Sequence, residues 1–99
     1  MNDYLNKLSR EALEIAQEHG FYLDDFDLVK QMAMLHTEVS EAVEALRVGD
    51  TDAFAEELAD VIIRCAGSAA WAKIDLQGAV DAKMEKNRTR PYKHGGKLF

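Results

Sequence analysis

Cysteine and proline are nearly absent from this 99-residue chain, one of each. No apolar run approaches the ~18 to 20 residues that span a bilayer. The lone Cys65 cannot form an intramolecular disulfide, and no Cys/His spacing suggests a zinc site. The opening Met1-Asn2-Asp3-Tyr4 lacks the basic and apolar regions of a signal peptide, so a cytoplasmic, reduced, non-membrane protein is expected. Basic residues are scarce in most of the chain: residues 1–82 carry seventeen acids and six bases, whereas residues 83–99 carry six bases and one acid. An acidic body argues against binding a nucleic-acid polymer, because phosphate contacts dominate that affinity. The compact basic tail can instead meet a small polyanion, or neutralise the acidic body of its own or a neighbouring subunit.

What is present is a helical pattern. Hydrophobic residues make up 47% of the chain, enough for one core and a single domain over residues 1–99. A chain this short buries a limited share of its surface, so oligomerisation is expected. Strand-length alternation and repeats are missing, and Gly20, Gly49 and the Lys73-Ile74-Asp75 step divide four helical segments. The first carries the stripe Leu5, Leu8, Ala12 and Ile15. The second carries Leu28, Met32, Leu35, Val39, Ala42 and Leu46, with Asp24 or Asp25 as N-cap. The third carries Phe54, Leu58, Val61, Cys65 and Ala69 and starts near Asp50 to Asp52. The fourth carries Leu76, Val80 and Met84, with Asp75 as N-cap and Pro91 as its limit. Short connections favour antiparallel neighbours. The expected fold is therefore all-α, a four-helix bundle-like protomer whose second and third helices form a central antiparallel hairpin. Gly67 and Gly78, inside helical pattern, mark points of close helix approach.

Two acidic pairs stand out, Glu38-x-x-Glu41 and Glu57-x-x-Asp60. Spacing alone proves little in so acidic a chain, where most such pairs face solvent. Register adds the discriminating information. Each of the four immediately precedes a stripe residue (Val39, Ala42, Leu58, Val61) and so lies ~100° from the stripe in the same rotational sense. In an antiparallel pair packed stripe to stripe, such residues fall on one side. Glu41 and Glu57 are each eight residues from Gly49, and Glu38 and Asp60 each eleven, so the pairs sit at matching heights. Four converging carboxylates repel one another and call for a positive partner. The candidates are Arg64, the bases of the fourth segment, or a divalent metal; all-oxygen ligation suits Mg²⁺ or Mn²⁺. The Glu-x-x-His pairs of a di-iron bundle are missing, and His36 does not supply them.

The fourth segment places Lys83, Asn87 and Arg90 at i, i+4 and i+7, a cationic face that continues into Lys93, His94, Gly95, Gly96 and Lys97. This suits phosphate oxygens. An acidic metal site with a basic clamp is the chemistry of a polyphosphate. Phe21, Tyr22, Phe26 and Trp71 are candidates for a pocket wall, although such aromatics more often serve packing.

The runs Leu35-His-Thr-Glu38-Val-Ser-Glu41-Ala-Val-Glu-Ala-Leu46, Glu57-Leu-Ala-Asp60-Val-Ile-Ile63 and Lys83-Met-Glu-Lys-Asn87-Arg-Thr-Arg90 resemble the MazG-like all-α nucleoside triphosphate pyrophosphohydrolases. The resemblance runs from about Leu28 to the C-terminus, and the first helix fits by position only. It implies Mg²⁺-dependent cleavage of nucleoside triphosphates, deoxynucleotides above all, to monophosphate and pyrophosphate in nucleotide house-cleaning. It also implies a dimer or a dimer of dimers with sites between subunits. Carried over residue by residue, Glu38, Glu41, Glu57 and Asp60 hold the metal, while Lys83, Asn87 and Arg90 contact the substrate. Many members carry a second Glu where this chain has Thr37, a departure that bears on ion number and on any base at that point. Two other readings compete: phosphoribosyl-ATP pyrophosphohydrolase, a related helical enzyme, and a non-catalytic helical dimer that serves binding or regulation.

Overall fold

Aspartate side chains cap three of the four helices. In the computed structural model, which describes residues 2–23 and 25–92, these are α1 (Tyr4–Glu18), α2 (Leu28–Arg47), α3 (Thr51–Trp71) and α4 (Leu76–Arg88). Asp27 accepts from the backbone N–H groups of Val29 and Lys30 at 3.0 and 3.3 Å, and Asp50 from that of Ala53 at 3.0 Å. Asp75 accepts from that of Gly78, also at 3.0 Å. Each cap contributes about 1 kcal/mol to its helix. The α2 cap corrects the sequence expectation: Asp25 lies exposed in the preceding loop, and the extended backbone of Asp27 aims its carboxylate at the first turn. Asp24 lies outside the described residues, as do Lys93, His94, Gly95, Gly96 and Lys97 of the basic tail.

The helix ends explain the short connections. After α2, Gly49 adopts a φ of 74°, which lets its own N–H reach the Leu46 carbonyl and that of Asp50 reach the Ala45 carbonyl at 2.9 Å. This reversal is a Schellman motif, and it folds α3 back along α2 within three residues. Lys73 makes the same reversal after α3 at a φ of 60°, with Ile74 donating to the Ala69 carbonyl at 2.9 Å. A side chain in that conformation costs roughly 1–2 kcal/mol relative to glycine.

The protomer is all-α, and no strand occurs among the described residues. α3 is its axis, packed against α1 along one side and α2 along another. Small residues permit this: Ala66, Gly67, Ser68 and Ala69 are all buried. A Cβ on Gly67 would stand 3.3 Å from Tyr22 Oη and 3.7 Å from the Leu13 backbone nitrogen, so the glycine marks a close approach of α1 to α3. Gly78 differs. A Cβ there would meet the carboxylate of its own N-cap, Asp75, rather than another helix.

The apolar stripes are present, but the protomer buries only their small members. Ala12, Ala42, Ala45, Ala66 and Ala69 are buried, whereas Val39 is 50% and Leu46 57% exposed, and Leu58, Ile62 and Ile15 are exposed too. α1 packs on α3 and not on α2, and α4 has no packing contact with α2 among the described residues. The radius of gyration, 15.9 Å, exceeds the about 13 Å of a compact domain this long. No helix among the described residues is long and apolar enough to cross a membrane.

α4 is held at its first turn by polar groups. Gln77 Oε1 accepts from the Leu5 N–H at 2.9 Å and so caps the start of α1, while the Gln77 N–H donates to Asn6 Oδ1 at 3.1 Å. Asn6 Nδ2 donates to Asp75 Oδ1 at 2.8 Å. That bond, with the one from Gly78, holds the Asp75 carboxyl below its ordinary range. Beyond Gln77, α4 is exposed. Asn6→Ala removes two of these bonds, and a loss of about 1–2 kcal/mol is expected. Urea unfolding with an unchanged slope and a lower midpoint, together with faster amide exchange at Gln77, would register it.

Candidate active site

Three of the four predicted carboxylates meet where α2 passes α3. Glu38, Glu41 and Glu57 each offer an oxygen within 4.8 Å of the others. The hairpin brings together three of the four that the register argument gathers: Glu41 and Glu57 are equidistant from the Gly49 turn, and Glu38 lies one turn behind. Glu57 Oε2 is buried and has no hydrogen-bond partner. Asp60 is not part of the trio; it is exposed and lines an adjoining cavity.

The electrostatics follow from the crowding. Burial first, then the neighbouring Glu41 and Glu38 carboxylates that share its proton and repel its charge, push the Glu57 carboxyl from 4.5 up to about 7. Among the described residues one cation answers the cluster. Arg64, a turn beyond Asp60 on α3, places Nε 3.2 Å from Glu38 Oε1, whose side chain is only 12% exposed. The remaining donors fit a hard divalent cation: all are carboxylate oxygens, and one is buried with an unused lone pair.

Beside the trio lies a cavity of about 390 Å³, within the range of small-molecule pockets. α1, the following loop, α2 and α3 enclose it; Phe21, Tyr22, Phe26 and Met34 supply apolar wall, and Asp60 and Arg64 its polar edge. Tyr22 shapes it. Its backbone φ is 56°, a conformation rare for an aromatic residue, and its buried hydroxyl lies 3.0 Å from Ser68 Oγ and accepts from Gln31 Nε2 at 3.2 Å. Its ring stacks on Phe26 with centroids 4.3 Å apart, and Phe26 lies 4.7 Å from Trp71. Trp71 therefore backs the wall rather than forming it. Sequence reasoning did not single out Gln31 or Ser68. The available signal was Gly67 beside Ser68, whose missing side chain admits the Tyr22 hydroxyl.

Lys83 and Asn87 are exposed on α4, and Arg90 follows its end, its N–H donating to the Asn87 carbonyl at 3.4 Å. Among the described residues no hydrogen bond or ion pair joins these three to the carboxylates. His36 is exposed on α2.

A family model described as the MazG nucleotide pyrophosphohydrolase domain matches residues 27–94. The match takes in α2, α3 and α4 with all the predicted site residues and omits α1, as the sequence resemblance did. Neither curated proteins nor solved structures gave a match.

The Glu57 shift makes stability depend on pH in a defined direction. The folded state holds a proton on Glu57 that the unfolded chain releases near 4.5. Its contribution is full below that value and is lost as pH rises through about 7. Glu57→Gln keeps the neutral form at every pH. Its thermal stability relative to the unsubstituted, metal-free protein is expected to rise progressively between about pH 5 and about pH 8; a pH-independent difference would contradict the assigned proton. A divalent cation held by these oxygens would displace the same proton, and its stabilising effect would then grow over the same range.

Proposed function

The chain belongs to the MazG nucleotide pyrophosphohydrolase domain family, and from this premise we propose that it hydrolyses nucleoside triphosphates to monophosphate and pyrophosphate with Mg²⁺, or Mn²⁺ in its place. The observation that carries the reading is the trio Glu38, Glu41 and Glu57, with its buried unpaired oxygen, beside an aromatic cavity. The role is house-cleaning of nucleotides, with deoxynucleotides the preferred substrates.

In this reading Glu38, Glu41, Glu57 and Asp60 hold the metal, Asp60 from the cavity side. A bound divalent ion supplies neutralisation of phosphate charge and a more acidic water. Phe21, Tyr22 and Phe26 take the base against their faces, a contact that tolerates many bases. The base in the cavity and the triphosphate over the carboxylates put the α-phosphorus beside the trio. A water oxygen bonds to that phosphorus as its bond to the bridging oxygen breaks; pyrophosphate leaves with the bridging oxygen, and a proton is released. Lys83, Asn87 and Arg90 bind the departing phosphates. Since α4 has no contact with α2 in its own chain, these residues serve the carboxylates of a second copy, in a homodimer or a dimer of dimers. The exposed Val39, Leu46, Leu58 and Ile62 supply apolar surface for that assembly.

Pyrophosphate release from a panel of ribo- and deoxynucleoside triphosphates, with Mg²⁺ and with EDTA, tests the reaction. Metal-dependent formation of monophosphate is expected; release of inorganic phosphate alone, or no turnover of any triphosphate, refutes it. Glu41→Gln is expected to lower kcat on the order of a thousandfold or more while the helical fold persists. Lys83→Ala is expected to lower kcat/KM. Mixing these two variants under exchange should restore about a quarter of the unsubstituted activity in a dimer, because half of the mixed dimer's sites combine an intact Glu41 with a partner's intact lysine. No recovery would place Lys83 outside the shared site.

A further inference from the structure

Arg64 is the one cation paired with the carboxylate trio among the described residues, and it stands at a border. On one side its Nε lies 3.2 Å from Glu38 Oε1. On the other, the side chain lines the aromatic cavity together with Asp60. The two ends of this pair differ in freedom: the Glu38 side chain is 12% exposed, while that of Arg64 is 37% exposed. Glu38 also offers an oxygen to the trio, so one carboxylate lies both against Arg64 and among the candidate metal ligands. A guanidinium has five donors in a planar fork, and here Nε is set against the Glu38 carboxylate.

The geometry points to Arg64 as an exchangeable internal counterion: it neutralises Glu38 in the metal-free protein, yields Glu38 to a divalent cation, and then turns its guanidinium into the cavity to bind phosphate oxygens. The second half rests on the function proposed above, whereas the first half does not. Charge drives the exchange in one direction. With a doubly charged ion among the carboxylates, the attraction that holds Arg64 to Glu38 is largely cancelled, and the nearby ion repels the guanidinium. A triphosphate entering the cavity then offers it a denser anion with bidentate geometry. Even in bulk water, a unit positive charge about 6 Å from a divalent ion weakens that ion's binding by roughly tenfold.

The test uses the full chain with Arg64→Gln and Arg64→Lys. Without nucleotide, Mn²⁺ titration by calorimetry is expected to show roughly tenfold tighter binding to R64Q and near-unchanged binding to R64K. The metal-free melting temperature of R64Q should fall and recover more with Mn²⁺ than that of the unsubstituted protein. Unchanged or weaker Mn²⁺ binding by R64Q would overturn the exchange and leave Arg64 as a support that orients Glu38. Should R64Q fail to fold without metal, the shorter-reaching R64K decides, because Mn²⁺ binding clearly weaker than normal in a folded, equally charged variant is the signature of support. With saturating Mg²⁺ and varied triphosphate, R64Q should lose at least tenfold in kcat/KM, and R64K should recover part of it. An unchanged value in R64Q overturns the phosphate role. If the unsubstituted protein turns over no triphosphate, the proposed function fails and the phosphate role with it, while the Mn²⁺ titration still decides the exchange.

Discussion

The constraint on which the rest depends is the burial of a carboxylate between two others. Glu57 sits where α3 passes α2, its Oε2 without a partner, and its neighbours Glu38 and Glu41 raise the cost of ionising it. No hydrophobic gain arises from such an arrangement; it opposes folding at neutral pH. It persists because the Gly49 reversal and the packing of Ala42 and Ala45 on α2 hold the two helices at a fixed height. A site poised in this way favours any cation that removes the repulsion, and the stability conceded to the repulsion would be available to such a cation as binding energy.

The second structural theme is small residues used to admit large ones. The buried Ala66-Gly67-Ser68-Ala69 run lets α1 approach α3, and the gap at Gly67 receives the Tyr22 hydroxyl. Tyr22 then carries backbone strain in exchange for a buried hydroxyl that touches Ser68 and Gln31. Its ring, with Phe26, walls a cavity that ends at Asp60 and Arg64. The cavity and the carboxylate trio are thus two products of one helix, α3, which faces α2 with acids and α1 with small residues.

The third theme is incompleteness. α4 is attached through Asn6, Asp75 and Gln77 rather than through an apolar seam, and it carries Lys83 and Asn87 away from the α2 side of its own chain. The large apolar residues of the hairpin are left half exposed. The proposed assembly of two copies draws on this basic arm and on the uncovered apolar surface beside it.

Helix number and type were legible in the sequence because each of the four segments pairs an apolar period with its own stop signal: Gly20, Gly49, the step at Lys73 and Pro91. The meeting of Glu38, Glu41 and Glu57 was legible as well, since a three-residue reversal between antiparallel helices leaves register almost no freedom. The α2 cap was misplaced, because an Asp-rich loop offers several equivalent carboxylates and only the backbone at Asp27 selects one. The burial of the stripes was overestimated: periodicity says which face is apolar, and only the tertiary structure decides whether anything covers it. Asp60 shows the same division. Its spacing from Glu57 matches that of Glu38 from Glu41, yet the cavity opened by Tyr22 and Gly67 sets it at the polar edge with Arg64. Local periodicity and turn chemistry act within a few residues and so are written in the sequence. The cavity, the Glu38–Arg64 pair and the reach of α4 depend on side chains far apart in the chain, and only packing brings them together.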